Sequence, residues 1–192
     1  LKDLVAYCAA RGIEVIPEID MPGHNQALAA AYPEFFCFPD HNTKVSTTGG
    51  VGLYLVCPHK PEIWKFYAAV FDELRDIFPS TMVHLGGDEA PLEKTWEKCP
   101  LSVKYRQQKG MKDVHEELKE FEAKMASMLA ARGKKPIFWY EKPWAQASVY
   151  RKGDTVFTWR MGLTPSTITE TKKQGLPLII AAGEHCYLDY PQ

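Results

Sequence analysis

Residues 61 to 89 read PEIWKFYAAVFDELRDIFPSTMVHLGGDE. Pro61 stands where a first helical turn tolerates proline, and Ile63, Tyr67, Val70, Leu74 and Ile77 form an apolar stripe at helical spacing that stops before Pro79. A short β-rich run, Thr81 to Leu85, follows and breaks into Gly86-Gly87-Asp88-Glu89. One helix, one strand and one polar strand exit make a unit, and the rest of the chain repeats it.

Upstream, Leu4, Val5 and Cys8 predict a helix over 2 to 11 stopped by Gly12, then a strand over Ile13 to Ile19. Pro22-Gly23 turns the chain and leaves Asp20 and His24 at that exit. One or two helical turns are expected over 25 to 31, and a long loop from Tyr32 to Lys60. Downstream, Asp113 and Glu116 resemble a capping box for a helix whose apolar face is Val114, Leu118, Phe121, Met125 and Leu129, closed by Gly133. Further strands are expected at Pro136 to Tyr140, Thr155 to Trp159 and Leu176 to Ala181, with a helix near Ser166 to Gln174. Such alternation predicts an α/β fold of parallel β/α units, a barrel or a doubly wound sheet. Five strands in 192 residues fall short of the eight strands and roughly 250 residues of a closed β/α barrel. No linker or second domain interrupts the pattern.

Composition narrows the partners. With 23 basic and 24 acidic residues the net charge is −1, and no basic cluster offers a footprint for nucleic acid. No apolar run reaches the roughly 18 residues of a membrane span. The five cysteines, at 8, 37, 57, 99 and 186, lack the close pairing of zinc ribbons or redox motifs and leave the compartment open.

Polar and aromatic residues collect at each strand exit: Asp20 and His24, Asp88 and Glu89, Trp139 and Glu141, Trp159 and Arg160, Tyr187 and Asp189. In parallel β/α folds that edge is where sites are built. The glycine pair mark a bend or a close backbone approach. On a regular strand Asp88 and Glu89 would face opposite sides, so that different surroundings separate their pKa values, as general acid work on a leaving group requires. A capping Asp-Glu pair uses the same two residues, core packing uses the same tryptophans, and a turn uses the same histidine.

The runs VIPEIDMPGH (15 to 24), HLGGDE (84 to 89) and YLD (187 to 189) resemble, in order, the motifs of glycoside hydrolase family 20, the β-N-acetylhexosaminidases. The resemblance implies a TIM-type (β/α)8 barrel, of which residues 1 to 192 supply roughly strands three to seven as a partial catalytic domain. It implies removal of terminal, non-reducing β-linked N-acetylhexosamine from glycans by a substrate-assisted retaining mechanism, an exception to the two-carboxylate scheme, with no cofactor and no metal. Glu89 would be the general acid, Asp88 would orient the acetamido group, Tyr187 would donate to its oxygen, and His24 would sit beside the acid. Trp139 and Trp159 would wall the sugar pocket, and Asp189 would bind a sugar hydroxyl. The family pattern gives Glu141 and Trp144 no role, and His84 and Asp20 are expected to fix the strand ends.

The family's first strand carries an arginine, its second an aspartate and its last a tryptophan and an acid, and none of these matches a position here. The 192 residues by themselves are therefore expected to expose strand edges and apolar faces, to be marginal or to associate, and to be weakly active or inactive. By family analogy the compartment is secreted, periplasmic or lysosomal, and oligomeric state stays open. Two other readings stand beside this one: a metal-dependent barrel hydrolase drawing on His24, His84, Asp88 and Asp189, and a carbohydrate-binding fragment without catalysis.

Overall fold

The computed structural model describes residues 1–48, 50, 52–140 and 154–188. Its sheet runs β1 (Met82–His84), β2 (Lys135–Trp139), β3 (Val156–Thr158) and β4 (Leu178–Ile180), each strand parallel to the next and in chain order. His84 lies opposite Ile137, Trp139 opposite Phe157, and Phe157 opposite Ile179. Among the described residues the α-helices are α1 (Lys2–Ala9), α2 (Gln26–Ala31), α3 (Pro61–Ile77), α4 (Pro100–Lys109), α5 (Val114–Ala130), α6 (Thr164–Gln174) and the single turn α7 (Gly183–Cys186).

The expected stripes form the core. Helix α5 buries Val114, Leu118, Phe121, Met125 and Leu129 and packs on β2 and α3. Each such side chain is worth about 1.5–3 kcal/mol of burial. Asp113 caps α5 by accepting from the amides of His115 (2.9 Å) and Glu116 (3.1 Å), while Glu116 reaches back to the Lys112 amide, one residue before the reciprocal bond of a capping box. Helix α3 buries Ile63, Tyr67, Phe71 and Leu74, with Val70 and Ile77 at the margin of the apolar face.

One expected strand needs correction, one helix is new, and the expected long loop proves to be anchored. The strand over Ile13 to Ile19 contracts to a single parallel bridge, Glu18 beside His84. Pro17 has no N–H for a ladder, yet its carbonyl accepts from the His84 amide (2.9 Å) and the Ile19 amide donates to the His84 carbonyl (2.9 Å), so the segment keeps its place next to β1. Helix α4 was not expected, because the side chains it buries are Ser102 and Arg106 and no apolar stripe announces it. The Arg106 guanidinium is met by Glu117 Oε2 at 2.7 Å, and His59 Nε2 lies 2.7 Å from the other oxygen of that carboxylate. A buried charge is tolerated only when paired in this way. The loop from Tyr32 to Lys60 is tied down by a 3₁₀ turn at Pro33–Phe35, an antiparallel bridge between Phe36 and Val56, and the Trp96 indole donating to the Val56 carbonyl at 2.9 Å.

Candidate active site

Strand β1 ends at His84, and the glycine pair turns the chain toward the Asp20 exit. Gly86 and Gly87 take φ values of +66° and +95°. A Cβ on Gly86 would stand 1.9 Å from Asp20 Oδ1 and 2.8 Å from Asp20 Cα, so the close approach read from the glycines is a contact between the two exits. The Gly87 amide donates to Asp20 Oδ1 (3.1 Å) and the Gly86 amide to His84 Nδ1 (3.0 Å). Asp20 and His84 thus fix strand ends, as expected.

Asp88 and Glu89 leave the strand before its alternation reaches them, which corrects the opposite-face argument. Glu89 has φ +51° and His24 φ +50°. A non-glycine residue in this region is strained by about 1–3 kcal/mol, and such strain collects at functional sites. The twist turns both carboxylates onto one histidine: His24 Nε2 is 3.3 Å from Asp88 Oδ2 and 3.6 Å from Glu89 Oε2. Their surroundings still differ, since the Asp88 side chain is 14% exposed and that of Glu89 27%.

The hydrogen bond to Asp88 raises the His24 imidazole to about 9 against the opposing effect of partial burial, with help from the charges of Asp88 and Glu89. At neutral pH His24 is therefore a cation. Burial pushes the Asp88 carboxyl up, but the bond and charge of His24 outweigh it and hold the group below its ordinary value. Burial, then the neighbouring Asp88 charge, raises Asp20 to about 8, so that it keeps its proton. The cluster is an ionised Asp88 with a neutral acid on one side and an imidazolium on the other. Asp88 Oδ1 is buried and finds no hydrogen-bond partner among the described residues, which leaves an acceptor for an incoming N–H.

The other exits join this group through two routes. Arg160 Nη2 lies 3.8 Å from Glu89 Oε1, and its guanidinium stands 5.0 Å from the Trp159 ring centroid. Trp159 in turn stacks on Tyr187, with centroids 6.0 Å apart and planes at 23°. On the other side the Trp139 indole donates to Glu18 Oε1 (2.9 Å), and its ring lies 4.7 Å from His84 and 5.6 Å from Phe157. Burial holds the His84 imidazole down to about 4, so it is neutral and accepts the Gly86 amide.

His24, Asp88, Glu89, Trp159 and Tyr187 are thus linked by consecutive contacts, and Trp139 flanks them. Asp189, Glu141 and Trp144 lie outside the described residues. One participant was missed in the sequence and another was noted there without its role. Glu18, two residues before Asp20 and so on the same face of an extended segment, positions Trp139. Arg160 was noted at its exit without the role its reach to Glu89 gives it. For a metal, the atoms of Asp20, His24 and Asp88 lie within 4.8 Å of one another, whereas His84 of the expected ligand set is outside that group.

The family profile of the glycosyl hydrolase family 20 catalytic domain matches residues 1–192. A beta-hexosaminidase of Akkermansia muciniphila is 62% identical across all of this chain, which spans 38% of that protein's length. A crystal structure of a beta-N-acetylhexosaminidase superposes with a TM-score of 0.92 at 62% identity, over 100% of this chain and 40% of its own. An exo beta-N-acetylglucosaminidase of Vibrio harveyi, solved in complex with N-acetylglucosamine, superposes with a TM-score of 0.77 at 27% identity, over 93% of this chain and 27% of its own. The parallel β/α units are therefore part of a TIM-type barrel, and the strand exits of that barrel carry HLGGDE and its neighbours in a chain that belongs to glycosyl hydrolase family 20.

Proposed function

We propose that the intact protein hydrolyses terminal, non-reducing β-linked N-acetylhexosaminides with retention, the substrate supplying its own nucleophile. The acetamido carbonyl oxygen attacks the anomeric carbon as the bond to the leaving oxygen breaks, and Glu89 gives its proton to that oxygen. An oxazolinium ring results. Asp88 accepts the ring N–H at its open Oδ1 and balances the charge, and Tyr187 donates its hydroxyl to the acetamido oxygen, an electrostatic aid worth a few kcal/mol when aimed at developing charge. Water then attacks the anomeric carbon, Glu89 takes its proton, and the acetamide is restored. Trp159 and Trp139 offer indole faces to the apolar face of the sugar, and Asp189 takes a sugar hydroxyl.

The observation that carries this reading is the Asp88 carboxyl with its buried, open Oδ1 beside Glu89, and His24 Nε2 within 3.3 Å of the one and 3.6 Å of the other. The test is hydrolysis of 4-nitrophenyl N-acetyl-β-glucosaminide and its galactosaminide counterpart by the intact protein. Asp88→Asn is expected to lower kcat by about 10²–10³-fold and to weaken inhibition by an N-acetylglucosamine thiazoline, a stable mimic of the cyclic intermediate. Equal thiazoline affinity in the parent and the variant would refute substrate assistance.

The spacing of Asp20, His24 and Asp88 supports one other reading, a metal-dependent hydrolase. Turnover lost on treatment with a chelator and restored by a divalent ion favours it. A fragment that only binds carbohydrate predicts no turnover at all.

A further inference from the structure

Cysteines scattered along the sequence gather in space. The Sγ atoms of Cys37, Cys57 and Cys99 all lie within 4.8 Å of one another. Cys57 and Cys99 are buried and Cys37 is half-buried, while Cys8 and Cys186 are outside the group. The glycosidase chemistry proposed above uses no thiol. Three separate segments bring the sulfurs together: the chain just after the Pro33–Phe35 turn, the close of the long loop, and the residue before α4.

Backbone and core bonds hold this frame. The Cys57 amide donates to the Phe35 carbonyl (2.8 Å), the Cys99 amide to the Trp96 carbonyl (3.2 Å), and the Val103 amide to the Cys99 carbonyl (2.9 Å). The Trp96 indole reaches the Val56 carbonyl next to Cys57. Two backbone amides are aimed at sulfur, His59 at Cys57 and Ser102 at Cys99. Cys99 also occupies the N-cap of the ten-residue helix α4, whose positive end favours a thiolate. A disulfide uses two sulfurs and strands the third as a thiol. Three sulfurs in mutual reach suit one thiophilic cation instead: a Zn–S bond of about 2.3 Å sets tetrahedral sulfurs roughly 3.8 Å apart.

We propose that Cys37, Cys57 and Cys99 form a thiolate site for a divalent ion of the zinc type, with the fourth position, on the half-exposed side of Cys37, taken by water. Loading releases three thiol protons as three metal–sulfur bonds form, and no electrons are exchanged. The site clamps the base of the 32–60 loop to the start of α4. The far part of the same loop borders the active site: Gln26 Nε2 donates to the Lys44 carbonyl (2.9 Å), and His24, Val45, Ser46 and Gly52 line one hollow. The ion is thus a structural clamp for a wall of the substrate mouth.

The test is metal analysis of the intact protein, reduced, freed of metal and then offered Zn²⁺ or Co²⁺ alone. One equivalent per chain is expected, with near-ultraviolet thiolate-to-cobalt charge transfer in the Co²⁺ form. Cys8→Ser is expected to keep both signals and Cys57→Ser to lose them. Should Cys57→Ser fail to fold, Cys37→Ser, which alters the half-exposed corner, decides by the same readouts. Zn²⁺ should also shield Cys37, Cys57 and Cys99 of the unaltered protein from iodoacetamide while exposed Cys186 reacts. A folded, reduced protein that takes up neither ion, or equal uptake in Cys37→Ser and the parent, overturns the proposal.

Discussion

His24 and Glu89 share a left-handed backbone conformation that neither side chain favours, and both face the Asp88 carboxylate or its neighbour. Relieving the strain separates stability from chemistry. Glu89→Gly is expected to raise the unfolding free energy by about 1 kcal/mol, read by urea denaturation, while abolishing hydrolysis. Glu89→Gln, which keeps the shape and removes the proton, should lower kcat by about 10²–10⁴-fold with KM little changed. The His24 charge gives a pH signature. Its folded value, about 9, lies above the ordinary 6.5, so the stability it contributes is whole below 6.5 and is lost as pH climbs through 9. Thermal unfolding of the parent and His24→Asn, the latter chosen because asparagine tolerates this backbone region, should differ most below 6.5 and converge above 9. A gap independent of pH would show that His24 is not protonated. Motif residues told which side chains gather here. They did not tell that the chain twists Glu89 back toward His24, because alternation on a strand is a guide only while the strand lasts.

At the scale of elements, apolar periodicity was sufficient where an element buries carbon and blind where it buries charge. The face of α5 was legible residue by residue, whereas α4 hides Arg106 against Glu117 and carries no stripe to read. The segment before Asp20 was legible as extended, but Pro17 reduced it to one bridge. Packing between exits makes its own prediction. Gly86→Ala forces a Cβ onto Asp20, whose Cα is only 2.8 Å away and cannot swing aside as a side chain would. The expected loss is about 1–3 kcal/mol in urea denaturation, together with loss of turnover as the two exits part. An alanine variant as stable as the parent would mean that the approach is looser than described.

For the molecule as a whole, the sheet leaves apolar surface at both ends of its described span. Leu1, Leu4, Tyr7 and Ile13 are exposed around α1, which buries no residue, and Ile179 and Ile180 are exposed on β4. Residues 1 to 192 produced by themselves are expected to self-associate in light scattering and to show little hydrolysis beside the intact protein. A monodisperse monomer with comparable turnover would contradict this. The barrel was legible from the β/α rhythm only as one of two parallel architectures; rhythm counts units but does not say whether a sheet closes.

Sheet order carries one more consequence. The Glu18 segment, β1, β2, β3 and β4 pair in the sequence in which a ribosome makes them, so each new strand docks on the open edge left by the last. No finished pairing has to be pried apart to admit a latecomer. Protease resistance of stalled nascent chains should therefore rise in steps as successive strands clear the exit tunnel, and a single late jump would argue against such vectorial assembly.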